Sequence, residues 1–283
     1  MKKILITGAN SYIGTSFENY MKQWADEYSV DTVDMIDGTW RERDFGEYDV
    51  VFHVAGIAHK KETKENAALY YKVNRDLAIE TARKAKEDGV KQFIFLSSMS
   101  VYGMDTGIIT KETVPSPKSN YGKSKLQAEE GINALASDDF KVCTLRPPMV
   151  YGNGCKGNFQ TVVKIVKKSP VFPKIKNERS MIYIDNLSSF VKLCIGRELS
   201  GLYFPQNKEY VRTVDMAKNI AAKLDKKRYF SILLGCGVFA IRPFVSVAKK
   251  GFGTLIYKDM EDFDFIYDVT DNVDSFAKSI END

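Results

Sequence analysis

Metal-ligating and disulfide-forming side chains are scarce in this chain of 283 residues, which has two histidines, His53 and His59, and four cysteines, Cys143, Cys155, Cys194 and Cys236. The cysteines are widely spaced and none stands in a C-x-x-C pair. Neither a zinc site nor a disulfide framework is indicated, and reduced thiols in a cytoplasmic compartment are the simplest reading. An excess of one charge is missing too. The 41 basic and 37 acidic side chains leave a net +4 with the cations scattered, so no nucleic-acid partner is expected. The densest basic patch, residues 223–228, reads as a solvated helix face. Long hydrophobic runs are also lacking. The longest, residues 229–241 (YFSILLGCGVFAI), falls short of the ~20 residues a membrane span needs, and Arg242-Pro243 closes it. It reads as a core or interface helix, with a membrane-surface or dimer contact as the alternative. The N-terminal apolar run after Lys2-Lys3 is too short for a signal peptide and reads as a buried strand.

What is present suits an ordinary globular protein: 44% of residues are hydrophobic and 28% charged. The first half alternates apolar segments at 3–7, 30–35, 49–55, 92–97 and 141–145 with helical patterns at 12–24, 64–88 and 121–135. Near-continuous apolar strands separated by helices mean a parallel sheet covered on both faces, an α/β doubly wound fold. The connection between residues 35 and 49 is too short for a strand-helix unit, so that edge of the sheet should be trimmed. After Arg146-Pro147-Pro148 the rhythm loosens into short strands at 180–184 and 201–204 and helices starting near Asp185 and Thr213. The organisation expected is a dinucleotide-binding domain over 1–150 and a smaller substrate lobe over 151–283, part of which can return to the sheet.

The first strand runs into Thr7-Gly8-Ala9-Asn10-Ser11-Tyr12-Ile13-Gly14. A strand, a tight glycine turn and a helix start form an anion site, because free N–H groups and the helix dipole point at the same place. Gly8 makes the turn, and Gly14 lets the helix pack close to the strands. Ser11 stands where a middle glycine is usual; its β-carbon crowds the pyrophosphate, while its hydroxyl can donate to it. Asp34 follows Gly14 by 20 residues, where a carboxylate reads ribose hydroxyls and repels a 2′-phosphate. NAD is therefore expected rather than NADP, with Arg41 and Arg43 keeping NADP possible.

The fourth apolar segment ends in Ser97-Ser98-Met99-Ser100-Val101-Tyr102-Gly103, on the sheet edge where ligands bind in open α/β folds. On the next helix, Tyr121 and Lys125 are four apart and share a face. A phenol beside an ammonium can move a proton on and off a hydroxyl, with a serine holding the same oxygen. Tyr-x-x-x-Lys is by itself common in a chain with 15 tyrosines, so its meaning depends on its neighbours.

Taken in order, these motifs resemble the extended short-chain dehydrogenases, the NAD-dependent nucleotide-sugar epimerases, dehydratases and reductases with a Rossmann-type fold. The resemblance runs from Lys2 to about Leu187 through the glycine loop, Phe52-His53-Val54-Ala55-Gly56, Val73-Asn74, Ser97-Ser98 with Val101-Tyr102-Gly103, Tyr121-Gly122-Lys123-Ser124-Lys125, Leu145-Arg146-Pro147-Pro148-Met149-Val150-Tyr151-Gly152, and the segment from Arg179 to Asp185. It implies that Ser98, Tyr121 and Lys125 are catalytic, with Lys125 binding the nicotinamide ribose and lowering the tyrosine pKa. It further implies that Gly8, Asn10, Ser11, Tyr12, Ile13, Gly14, Asp34, Ala55, Gly56, Asn74, Lys125 and Pro147 hold the cofactor. Ser98, Met99, Tyr121, Asn158 and Arg179 would face the substrate, the last two at its diphosphate. A homodimer through the helices at 64–88 and 121 is implied as well.

Dehydratases of this family carry Asp-Glu directly after the catalytic hydroxyl; Met99 and Ser100 occupy those places here, which disfavours dehydration. The leading expectation is an NAD-dependent 4-epimerase of UDP-hexoses that transiently oxidises C4. A short second half without a clear second phosphate-binding arginine keeps an NAD(P)H-dependent reductase of 4-keto sugar nucleotides as the alternative. A catalytically silent NAD(H)-binding sensor is the remote one, opposed by the intact Ser98, Tyr121 and Lys125.

Overall fold

A computed structural model describes residues 1–58, 60, 62–241, 246–260 and 265–280. His59 and the Arg242-Pro243 stop lie outside the described residues. In chain order the strands are β1 (Lys2–Thr7), β2 (Tyr28–Val33), β3 (Val50–His53), β4 (Gln92–Leu96), β5 (Gly107–Ile109), β6 (Lys141–Leu145), β7 (Met149–Tyr151), β8 (Val171–Pro173), β9 (Met181–Tyr183), β10 (Gly201–Tyr203), β11 (Tyr229–Ser231) and β12 (Leu255–Tyr257). The helices are α1 (Tyr12–Met21), α2 (Ala67–Tyr70), α3 (Leu77–Glu87), α4 (Asn120–Asn133), α5 (Asn158–Lys168), α6 (Ile184–Gly196), α7 (Thr213–Lys223), α8 (Ile232–Ile241), α9 (Ser246–Phe252) and α10 (Asn272–Lys278). A π-helical turn, Tyr71–Asp76, joins α2 to α3.

The chain forms two compact units. The first comprises Met1–Gly103, Val114–Pro147 and Leu187–Pro205. Its sheet has the order β10-β6-β4-β3-β1-β2, with every neighbouring pair parallel. β3 and β4 are buried at every position, as strands covered on both faces must be. This is the doubly wound architecture read from the sequence. The order reverses between β1 and β3, so the crevice at the carboxyl ends of those strands is the topological switch point where such sheets bind ligands. β2 is the trimmed edge: between it and β3 lies only a 3₁₀ turn, Thr39–Arg41, which buries Trp40. The strand itself runs two residues earlier than its apolar pattern suggested, because it pairs in register with β1 from Lys2 onward. β10 returns late in the chain to pair with β6. Its connection is held where the Gln92 amide donates to the carbonyls of Cys194 and Leu199.

The second unit comprises Met104–Thr113, Pro148–Asn186 and Gln206–Asp283. It carries three two-stranded parallel ribbons, β5–β12, β7–β9 and β8–β11. Its core gathers on Tyr151, whose ring lies 5.3 Å from both Phe159 and Phe276. The Tyr151 hydroxyl is 2.6 Å from Ser275 Oγ and accepts from Asn207, so the aromatic body is buried without stranding its polar end.

The apolar run 229–241 is not a core helix. It splits into β11 and α8, and Leu233 is 86% exposed. The Gly235 side presses inward: a Cβ there would clash with the Lys174 carbonyl oxygen. A Gly235→Val variant should therefore lose about 1–3 kcal/mol through overpacking, seen as a lowered thermal midpoint. Gly237→Val, where an added Cβ meets nothing within 4 Å, should leave the midpoint nearly unchanged.

Candidate active site

The glycine loop of the first unit is held against its neighbours on both sides. The N–H groups of Gly8 and Ala9 donate to Val33 O at the end of β2. A Cβ on Gly8 would fall 2.8 Å from Ala55 N, and Gly8 has φ +105°, so only glycine fits. Asn10 takes the left-handed conformation at φ 63°, which its short polar side chain tolerates. Ser11 caps α1 by accepting from Gly14 N at 3.2 Å and keeps its own hydroxyl proton to donate. Tyr12 and Ile13 open the helix, whose first N–H groups point out of its start. Asp34 follows β2 and is fixed there by accepting from Ile36 N at 2.8 Å.

The two arginines near Asp34 are engaged elsewhere. Arg41 makes a two-pronged contact with Glu80, at 2.5 and 2.7 Å. Arg43 lies against the Tyr48 hydroxyl and Asp31. Both arginines that follow Asp34 in the chain are therefore already paired.

The loop after β3 brings a second group together. Asn74, in the π turn, accepts from Ile57 N at 2.7 Å and donates to Ile57 O at 3.1 Å, and it also donates to Ser124 on α4. A Cβ on Gly56 would sit 3.0 Å from Asn74 Oδ1 and 3.5 Å from Lys125 Nζ. The left-handed turn at Gly8, the missing side chain at Gly56 beside Asn74 and Lys125, and the Asp34 carboxylate fit a dinucleotide.

Tyr121 enters at the start of α4, and that start is secured twice. Ser119 accepts from Gly122 N. The Glu62 carboxylate accepts from the N–H groups of Asn120 and Tyr121, at 2.9 and 3.0 Å, which satisfies two otherwise orphan donors and opposes the helix dipole. Ser98 follows β4 and caps a 3₁₀ turn, its Oγ accepting from Ser100 N at 3.1 Å. The Ser98 Oγ donates to Ser100 Oγ at 3.2 Å, and it lies near enough to the Tyr121 phenol to favour its ionised form. The Met99 side chain is buried, and its N–H donates to Pro147 O, which ties the ends of β4 and β6 together.

Burial raises the Tyr121 phenol above its ordinary value, and the contact with Ser98 works against that rise. The Lys125 ammonium, expected to lower the phenol, is here directed at the Leu96 carbonyl at 2.8 Å and lies 4.7 Å from the centre of the Phe95 ring. Burial brings Lys125 down to about 8, with Glu129 working the other way. His53, fully buried and 2.7 Å from Thr7 Oγ1, is driven down to about 3 by burial and by Lys125, so it is neutral.

Beneath these groups lies a buried ion pair that the sequence reading did not single out. Arg146 donates to Glu129 through Nε and at 2.6 Å through Nη2. Ser97 donates to the same carboxylate, and Arg146 Nη1 donates to the Tyr102 hydroxyl at 2.9 Å. Burial opposes the Arg146 charge, and Glu129 and Tyr102 more than restore it. Tyr121, Lys125 and Glu129 recur every four residues on one face of α4, and that spacing was the available signal.

The two remaining sequence candidates belong to the second unit. Asn158 is exposed as the first residue of α5. Arg179 pairs its backbone with Val211 and donates to Gly253 O at 2.8 Å. Burial lowers its pKa, Asp105 opposes that, and its buried Nε has no partner among the described residues. Among the described residues no cluster of potential metal ligands occurs and no helix is long and apolar enough to cross a membrane.

A family model described as the NAD dependent epimerase/dehydratase family matches residues 4–198. The chain is 31% identical to the UDP-glucose 4-epimerase of Vibrio cholerae over 251 residues, 80% of this chain and 76% of that one. It is 26% identical to the N-acetyl-alpha-D-glucosaminyl-diphospho-ditrans,octacis-undecaprenol 4-epimerase of Escherichia coli O157:H7, over 79% of this chain and 73% of that one. Among solved structures it is similar in fold to UDP-glucuronic acid 4-epimerase from Bacillus cereus in complex with NAD, with a TM-score of 0.72, 16% identity, and coverage of 98% and 97%.

Glu129→Ala leaves the Arg146 charge buried without its partner, a loss of about 3–5 kcal/mol. Chemical denaturation should register it as a fall in midpoint, smaller for Glu129→Gln, which keeps an acceptor.

Proposed function

The chain belongs to the NAD dependent epimerase/dehydratase family, and from that premise we propose that it is a cytoplasmic NAD-dependent 4-epimerase of UDP-hexoses. The observation that carries the reading is that Ser98 lies beside the Tyr121 phenol at the carboxyl end of β4, in the same unit as the glycine loop and Lys125. The Vibrio cholerae relative, a UDP-glucose 4-epimerase, supports the substrate class.

In this reading NAD, when bound, supplies the carbon that takes hydride from the sugar and returns it. Ser98 holds the C4 oxygen by a hydrogen bond while Tyr121 removes its proton and later gives it back. The raised phenol pKa favours the return of the proton, and the nearness of Ser98 limits that rise. Lys125 holds the ribose beside Gly56 and Asn74, Ala55 and Pro147 line the nicotinamide, and Asp34 takes the adenosine ribose hydroxyls. The engagement of Arg41 with Glu80 and of Arg43 with Asp31 supports NAD over NADP. Asn158 and Arg179 would hold the substrate diphosphate; the unpaired buried Nε of Arg179 supports that role, since a guanidinium fork matches phosphate oxygens.

Incubating the protein with UDP-glucose or UDP-galactose, with and without added NADH, and following the sugars by NMR separates the two chemistries. Interconversion without net NADH use is expected; stoichiometric NADH consumption on a 4-keto sugar without epimerisation would replace the epimerase with a reductase. Tyr121→Phe should cut turnover by about a hundred- to ten-thousand-fold and leave NAD affinity intact. Asp34→Ala should weaken NAD by about tenfold or more, measured by fluorescence titration. The unsubstituted protein should bind NAD more tightly than NADP.

A further inference from the structure

We propose that the second unit docks on an anionic lipid surface through α8 and the lysines beside it. α8 (ILLGCGVFAI) has no charged side chain and is apolar all the way round, a pattern that belongs in an interior. Yet Ile232 is 64% exposed, Leu233 86% and the preceding Tyr229 70%. The helix is one of ten residues, about 15 Å long, half of the ~30 Å needed to cross a bilayer. It is suited to lie in a membrane interface with its apolar side chains among the acyl chains and an aromatic residue at its edge.

Charge selects the occupant. The residues 158–177 and 226–258 contain no aspartate or glutamate. Those stretches include β8 and α9, which pack against α8. Lys174 and Lys176 follow β8, Lys226 and Lys227 precede β11, and Lys249 and Lys250 lie on α9; all six are exposed or half-exposed. A second copy docked through the same face by a two-fold axis would set these ammonium groups against their own images. Anionic headgroups instead meet each lysine with an opposite charge, while the acyl region receives Ile232 and Leu233.

The test is co-sedimentation of the full chain with vesicles of phosphatidylglycerol and phosphatidylcholine in equal parts, against phosphatidylcholine alone. The expected partitioning is about tenfold or more in favour of the anionic vesicles, falling severalfold in ~0.5 M salt. The Ile232→Glu/Leu233→Glu variant should stay in the supernatant while binding NAD as before. A Lys226→Gln/Lys227→Gln/Lys249→Gln/Lys250→Gln variant, with the apolar face untouched, should lose the preference for anionic lipid. Absence of pelleting, or pelleting that ignores both variants, overturns the proposal. So does a dimer by light scattering that the glutamate pair converts to a monomer, which assigns the face to a second copy. Because vesicle binding needs no turnover, its outcome is independent of the epimerase assay.

Discussion

Glu129 and Arg146 meet with less than a tenth of either side chain exposed, and the placement of α4 depends on that contact. An ion pair removed from water survives only when its remaining hydrogen-bonding capacity is filled. Ser97 and Tyr102 fill it here. Glu129 is on α4, Arg146 follows β6, and Ser97 follows β4, so one carboxylate fixes how the helix is rotated against two strand ends. A turn earlier, Lys125 reaches the Leu96 carbonyl; two turns earlier, Tyr121 reaches Ser98. These are successive rungs of one seam, and the pair proposed for proton transfer is its end.

Much of the first unit was legible because its signals are periodic. β1, β3, β4 and β6 are short apolar runs, and a buried parallel strand has no other pattern available. The glycine loop was equally readable, since Gly8 requires a backbone that other residues resist. Supports that act at a distance were not. A glutamate eight residues beyond a tyrosine looks like a solvated helix charge until Arg146, 17 positions away, is brought to it. Glu62 gave even less warning: it precedes α4 by more than fifty residues and caps that helix only after the loop following β3 folds beside it.

The second unit was harder to read for a physical reason. Its strands have only three residues each, too few to display a period. It also takes its β5 segment from before α4, while Leu187–Pro205 goes back to the larger sheet. The run at 229–241 shows a different failure. Hydrophobicity alone implies burial, but it does not say by what, and here Gly235 is covered closely while Ile232 and Leu233 face outward.

The π turn at Tyr71–Asp76 places one residue more in the α2–α3 helix than regular winding would. Each residue advances a helix by about 100°, so this surplus sets the azimuth of Asn74 without moving the helix axis. The turn acts as a phase adjuster between two requirements on one continuous rod. The downstream helix must present Ala78, Ala82 and Ala85 to the core, whereas the asparagine must face the backbone beside Gly56. Loss of a single residue in the turn would let the helix continue regularly and carry the amide out of phase with its loop.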